Sequence, residues 1–397
     1  MFRTARSKLQ TWIAAGAGTV AALFVAGLMG AFGALPAHAP PQLPLDAAID
    51  AGRWRVQPVR AYVGHATAYG VSLKPGQKAL VLEADMTNRT AQSDKAYFDV
   101  FKPDGITLPD PMPMIALTRD ATLTPELHPG MTERMAYVWP LAGDAAVPAS
   151  LSFGVTAEIF KPRDNLYGMP GWLVQSLPAR HHHLAGRRRA GAGSRLMRIR
   201  ILGNLVILCT TVALSYGMQV SKPHYADLTA PIPVDGAMHD TIHARRFDVR
   251  LDKLVFARQL KTNQFGQEKL LTTSGLWAVV STNLTATVAS TTVADGTWQG
   301  PTGLRYHQTE RLGYRQDMPP HGVDPGLEKR GLFVFEIPSD QIRGASLLIS
   351  ARQFGPLDSQ ARISLDRLAT GADGQPTDVV PEYDLDAPQA QTPQGKS

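Results

Sequence analysis

Three consecutive imidazoles, His181, His182 and His183, are the densest set of potential metal ligands in the chain. Neighbouring residues on a loop cannot close a coordination sphere unless a fold supplies further donors. They are therefore read as linker sequence. His224, His239 and His243 precede a later β-rich region, the last two spaced four apart as on one helical face. No HExxH pattern accompanies them, and Pro231 and Pro233 oppose a helix, which leaves solvated or locally hydrogen-bonded histidines. Asn88-Arg89-Thr90 and Asn283-Leu284-Thr285 match a glycosylation acceptor, but each ends a strand-like run where asparagine suits a turn, so a capping role is expected. Nucleophilic catalysis would need an activated serine or cysteine beside a base. There is no G-x-S-x-G elbow, no phosphate-cradling glycine loop, and the one cysteine, Cys209, lies in an apolar segment. The expectation is a protein without catalytic, cofactor-binding or metal-binding residues, and not an enzyme.

The elements that would position any chemistry are set by 397 residues, 44% hydrophobic and 19% charged, a length and balance that suit two or three folded domains. Forty Lys and Arg against 34 Asp and Glu give a net charge of +6. Seven arginines between Arg180 and Arg200 account for the excess, and without them the balance is −1. No folded part then carries the basic face that tracks phosphates, so no nucleic-acid partner is expected. Residues 12–35 are uncharged and mostly apolar behind Arg3, Arg6 and Lys8, and predict a transmembrane helix or signal anchor. Residues 201–218 are also uncharged, behind Arg195, Arg198 and Arg200, and predict a second span. Both would point their N-terminal ends into the cytoplasm, which two spans in one chain cannot do without a third crossing. A fusion of two adjacent genes, or an internal start at Met197, resolves the conflict.

The chain also repeats itself. His128–Trp139 aligns without a gap to Asp324–Phe335 at an offset of 196, pairing Pro129, Gly130 and Arg134 with Pro325, Gly326 and Arg330. Upstream, Thr87-Asn88 matches Thr282-Asn283 at an offset of 195. Arg134 and Arg330 each stand beside a proline-glycine turn, where an arginine covers apolar surface with its stem or pairs with an acid. In both halves the dominant period is two: Phe247, Val249 and Leu251 alternate with charged neighbours. Turns are expected at Asp104-Gly105, Pro129-Gly130, Asp295-Gly296 and Pro325-Gly326. About seven strands in roughly 120 residues suit an antiparallel sandwich.

A strand ending V-x-x-T-N (Val279–Asn283), a D-G step, and P-G-x-x-x-R (Pro325–Arg330) leading into Phe333–Pro338 resemble the bacterial telokin-like, immunoglobulin-like domain of membrane-anchored proteins of unknown function. The first half departs from this pattern with Trp139-Pro140 where Phe335-Glu336 stands. The resemblance implies an extracytoplasmic sandwich on a tether.

The expected architecture is mainly β: two immunoglobulin-like antiparallel sandwiches, each preceded by one transmembrane helix. A basic N-terminus (1–11) leads into the first span (12–35) and a sandwich (46–164). An Arg/His/Gly-rich linker (165–200) leads to the second span (201–218), a second sandwich (240–368) and a disordered acidic, proline-rich tail (369–397). The expected function is non-catalytic: a bacterial inner-membrane protein presenting two interaction domains to the periplasm, with the lipid bilayer and other envelope proteins as partners. The rival reading is a membrane-tethered hydrolase or carbohydrate-active enzyme, which requires an acidic or histidine cluster converging in a cleft.

Overall fold

Apolar side chains at alternate positions build strands with one covered face, and nearly unbroken apolar runs build those covered on both faces. The computed structural model describes residues 43–44, 46–64, 69–148, 150–162, 170–174, 210–211, 213–218, 221, 228–264, 266–351 and 357–387. The first body contains β1 (Ile49–Asp50), β2 (Trp54–Gly64), β3 (Gln77–Asn88), β4 (Phe101–Asp104), β5 (Met114–Leu117), β6 (Thr132–Ala142), β7 (Ser152–Val155), β8 (Glu158–Lys161) and β9 (Gly171–Val174). The second contains β10 (Ile232–Ala237), β11 (Thr241–His243), β12 (Phe247–Gln264), β13 (Gln267–Ala286), β14 (Thr291–Val293) and β15 (Asp295–Gln299). It continues with β16 (Arg305–His307), β17 (His321–Val323), β18 (Lys329–Ile337), β19 (Ser346–Ser350), β20 (Ser359–Ser364) and β21 (Val379–Asp384). Both bodies fall in one compact unit of the chain.

The first body is an antiparallel sheet of order β1-β2-β3-β6-β5 with the β4–β7 pair packed over it. Leu80, Leu82, Ala84 and Met86 of β3 share one face with Met135, Tyr137, Trp139 and Leu141 of β6, and all are buried in one core. Ala79, Val81, Ala136 and Val138 on the opposite face are covered by Val71, which explains why these strands read as nearly unbroken apolar runs. The second body sets the sheet β11-β12-β13-β18 against β10-β20-β19-β15-β16. Phe247, Val280, Trp298, Phe333, Phe335 and Ile349 fill the space between them. Burying a side chain of this size stabilises by ~1.5–3 kcal/mol.

The two bodies share their pairing pattern, with one revision to the alignment. Arg134 stands opposite Asp85, and Arg330 opposite Asn283. Asn88 bridges Pro129 just as Ala286 bridges Pro325. Equivalent positions in β3 and β13 therefore differ by 198, not 195. An odd slip of three would turn every core residue of β3 outward, because side chains alternate with period two.

The expectation of a spanning helix before each sandwich is overturned. Among the described residues no helix is long and apolar enough to cross a membrane. Within 201–218 the described part is helical and exposed at 210–211 and 213–218. Thr210, Thr211, Ser215 and Tyr216 interrupt the apolar character of this stretch. Segment 12–35 and His181–His183 lie outside the described residues.

The second sandwich is also not purely antiparallel. β10 joins β20 and β21 joins β12 in parallel register, so segments distant in sequence close two sheet edges. The second body thus runs from Ile232 to Asp384, and part of the segment expected to be a disordered tail is a strand. Its apolar side chains suffice for an edge: Leu385 is buried, Val380 and Tyr383 pack beside it, and Arg315 Nη1 donates to Asp386 Oδ1 at 2.7 Å. The first body likewise continues past 164, through the β8–β9 hairpin. Of the expected turns, Gly105, Gly130 and Gly326 have positive φ. Asp295-Gly296 is instead inside β15, where a Cβ on Gly296 would come within 2.3 Å of the Phe333 ring.

Candidate functional site at the junction of the sandwiches

The two bodies meet along a seam of charge. Arg311, 5% exposed, follows β16 in the second body. Its Nη1 donates to Glu336 Oε2 at 2.6 Å, its Nη2 to the Thr272 carbonyl at 2.8 Å, and its guanidinium reaches across to Asp120 of the first body. Its face lies 5.0 Å from the Trp277 ring. From the first body, Arg119 Nη1 contacts Glu133 Oε2 at 2.7 Å and its Nη2 approaches Glu336 Oε2 at 3.5 Å. Ser274 Oγ donates to Glu133 Oε1 at 2.8 Å. Burial acts to raise the Glu336 carboxyl, but Arg311, His128 and Arg119 outweigh it and hold it at about 2. For Glu133 burial wins over Arg119, and its value is raised.

Backbone pairing extends the seam. Arg305 N–H donates to the Ala91 carbonyl at 2.8 Å, and Ser93 N–H to the Arg305 carbonyl at 3.1 Å, so the chain after β3 docks on β16. Beside it, Ser93 Oγ lies 2.7 Å from His128 Nδ1, and His128 Nε2 lies 3.8 Å from Glu336 Oε1. This serine, histidine and glutamate sequence has the composition of a nucleophilic relay. The three are 3%, 4% and 2% exposed, and Ser93 Oγ already accepts the His307 backbone N–H at 3.0 Å. Without access for a substrate, the chain of bonds braces the seam.

An open cavity of about 370 Å³ lies next to this brace, walled by both bodies: Glu126 and Gln92 from the first, and Asp295, Thr297, Arg305 and His307 from the second. The strand pleat explains the convergence. Asp295, Thr297 and Gln299 share one face of β15, while Trp298 points into the core, and His307 and Arg305 of β16 stand opposite Thr297 and Gln299. His307 Nδ1 and Glu126 Oε2 are 3.0 Å apart. Burial would lower the imidazole, yet the bond and charge of Glu126 prevail and raise it. Burial would likewise raise Glu126, and His307 keeps it below the usual range. Among the described residues Asp295 makes no ion pair; burial outweighs the charge of His307 and a hydrogen bond with Thr297, and pushes its carboxyl up to about 6. The cleft thus sets an ionised carboxylate paired with an imidazole beside a carboxyl poised to gain or lose a proton.

The residues singled out in the sequence lie elsewhere. His243 Nδ1 is 2.9 Å from Asp248 Oδ1, its cross-strand neighbour, and His239 Nδ1 is 3.1 Å from the Leu251 carbonyl; strand and turn, not helix, hold them. His224 lies outside the described residues. Asn88 is buried, donating to the Gln92 and Leu127 carbonyls at 2.9 and 2.7 Å and accepting from Thr90 N–H at 2.8 Å, an internal cap. Asn283 is its neighbour in sequence pattern only, since it faces Arg330. Arg134 binds Asp85 through two nitrogens at 2.8 and 2.9 Å, and Arg330 donates to Ser281 Oγ at 3.2 Å. Among the described residues no group of three or more His, Cys, Asp or Glu could hold a metal ion. One signal for the seam was present: Glu336 interrupts the apolar run Leu332–Ile337, and a carboxylate there needs a buried partner.

No family model matches this chain, and no curated protein matches it. Solved structures that do match include the yjhA protein of Bacillus subtilis, at 8% identity and TM-score 0.25, covering 32% of this chain and 98% of that one. An uncharacterised β-sandwich protein from Clostridium difficile 630 matches at 11% identity and TM-score 0.25, covering 36% and 100%. The secreted protein MPT63 of Mycobacterium tuberculosis matches at 11% and 0.24, covering 34% and 98%. These likenesses bear on neither activity nor partners. The β-sandwich architecture rests on the strand pairing itself.

Proposed function

We propose that this is a non-catalytic recognition protein, two sandwiches braced as one body whose junction cleft receives a ligand. The observation that carries this reading is that both bodies wall the cleft while the reactive groups around it are already committed, Ser93 and His128 within the brace and His307 to Glu126. The resemblance to immunoglobulin-like modules and an origin by duplication belong to the same reading, supported by the matched registers of Arg134 and Arg330. Arg3, Arg6 and Lys8 ahead of apolar 12–35 support an exported protein. Crystals of the full chain soaked with a library of small polar fragments test the assignment. Occupancy should concentrate against Glu126, Asp295 and His307; fragments that settle elsewhere and leave the cleft empty overturn it.

One observation favours a second reading, a glycoside hydrolase: Asp295 at about 6 beside an ionised Glu126 has the acid and base split that such chemistry uses. Against it, Glu126 is spent on His307, and among the described residues no Phe, Tyr or Trp lines the cavity to stack on a sugar. Turnover of nitrophenyl glycosides near pH 6, lost in Asp295→Asn, would establish the enzyme instead.

A further inference from the structure

The charges lining the cleft are unequally satisfied. Glu126 is paired with His307, Glu310 with Lys95, and Asp358 with Arg245 and Arg246. Asp295 and Arg305 remain: among the described residues neither side chain makes an ion pair. They lie on the same outward face of the β15–β16 pair. Arg305 stands opposite Gln299, four residues along the strand from Asp295, or roughly 13 Å at 3.3 Å per residue. The arginine side chain closes part of that distance, leaving room for a molecule a few bonds long between opposite charges. Between them on this face stand Thr297 and, opposite it, His307, which Glu126 engages, while Ser350 and Gln360 flank Asp295 on its other side; the hydroxyl and amide groups make this wall polar rather than apolar.

We propose that the cleft binds a small zwitterion of the amino-acid class, its ammonium on the Asp295 carboxylate and its carboxylate on the Arg305 guanidinium. This rests on the reading of the cleft as a recognition site. An ammonium supplies the direct ion pair that Asp295 does not make with His307, which Glu126 engages, and a guanidinium engages a carboxylate through two parallel hydrogen bonds. Each end alone gains one such contact, so the two charges together give selectivity over simple amines and simple acids. The charged or titratable groups around Asp295 are His307 and Arg305 on β16 and Glu126 from the first body, while its partner on β19 is the neutral Ser350.

Calorimetric titration of the full chain with glycine, lysine, n-butylamine and butyrate tests this. The two zwitterions should bind, with butylamine and butyrate at least about tenfold weaker, and Asp295→Asn and Arg305→Gln should each weaken zwitterion binding at least about tenfold. Binding should tighten as pH rises through the titration of Asp295. This profile, read on the natural chain, decides the matter if a variant does not fold. The proposal is overturned if neither zwitterion binds, if butylamine binds as well as lysine, if both variants bind normally, or if affinity is flat from pH 5 to 7.5. Fragments seated in the cleft together with a silent zwitterion panel would overturn the ligand class alone and leave the recognition site standing.

Discussion

Replacing Arg311 by methionine probes the seam most directly. Methionine keeps much of the side-chain volume and removes the charge, leaving Glu336 at 2% exposure without its nearest cation. Breaking one partner of a buried ion pair costs ~3–5 kcal/mol, because the remaining charge is left uncompensated. That is a large part of the ~5–15 kcal/mol that holds a typical domain folded. The pH dependence makes the prediction specific. In the natural chain Glu336 titrates at about 2 rather than 4.5. A carboxyl held below its unfolded value stabilises the fold fully above that value, and the contribution fades as pH falls through 4.5 toward 2. It amounts to about 3 kcal/mol. Without Arg311, burial is opposed only by Arg119 and His128, and the carboxyl rises. The variant then favours protonation of Glu336 in the fold, so its deficit relative to the natural chain should be largest at pH 7 and smaller at pH 4. Urea unfolding followed by circular dichroism at both pH values measures this. A deficit below about 1 kcal/mol at pH 7, or one that does not shrink at pH 4, would refute the account of the seam.

Other parts of the fold make their own predictions. His321 is fully buried and, among the described residues, neither ring nitrogen has a hydrogen-bond partner, so His321→Leu should raise stability at pH 7 by ~1–3 kcal/mol; an unchanged or lower urea midpoint contradicts this. Burial, aided by Lys329, lowers His321 to about 4, so the unfolded chain takes up the proton first, and stability should fall as pH drops from 6.5 toward 4 in the natural chain, with this component absent from the leucine variant. Ending the chain after Asp378 removes β21 and the buried Leu385, worth ~2 kcal/mol of apolar contact. Hydrogen exchange should then quicken at Phe256–Lys261 and stay unchanged in β3; equal protection in both proteins would mean that β21 adds nothing. Gly296→Ala places a methyl 2.3 Å from the Phe333 ring and should cost ~1–3 kcal/mol by overpacking, read from the melting curve.

Strands with one covered face were legible in the sequence, because Phe247, Val249 and Leu251 can be buried together only in an extended chain. The glycine turns were legible where positive φ was needed, at Gly105, Gly130 and Gly326. Asp295-Gly296 misled, since the same dipeptide serves a strand when the glycine makes room for a ring. β21 was hidden by the prolines and acids around it, although an edge strand needs only a few apolar side chains. The cleft could not be read at all. Glu126 and His307 are 181 positions apart, and only tertiary pairing of the two bodies brings them together. The span predicted over 201–218 rested on the absence of charge, and hydropathy gave too little weight to the hydroxyl-bearing Thr210, Thr211, Ser215 and Tyr216 at its described end; among the described residues no helix is long and apolar enough to cross a membrane.

The polarity of the seam has a consequence for biosynthesis. The first sandwich leaves the ribosome before Arg311 and Glu336 exist, and the surface it must hold open in the meantime carries Arg119, Asp120 and Glu133, groups that water solvates well. A nascent half-molecule waiting with such a face resists sticking to its neighbours, whereas a greasy face would invite it. Closure across Ser93 and His307, 214 positions apart, is then a late docking event between two preformed halves.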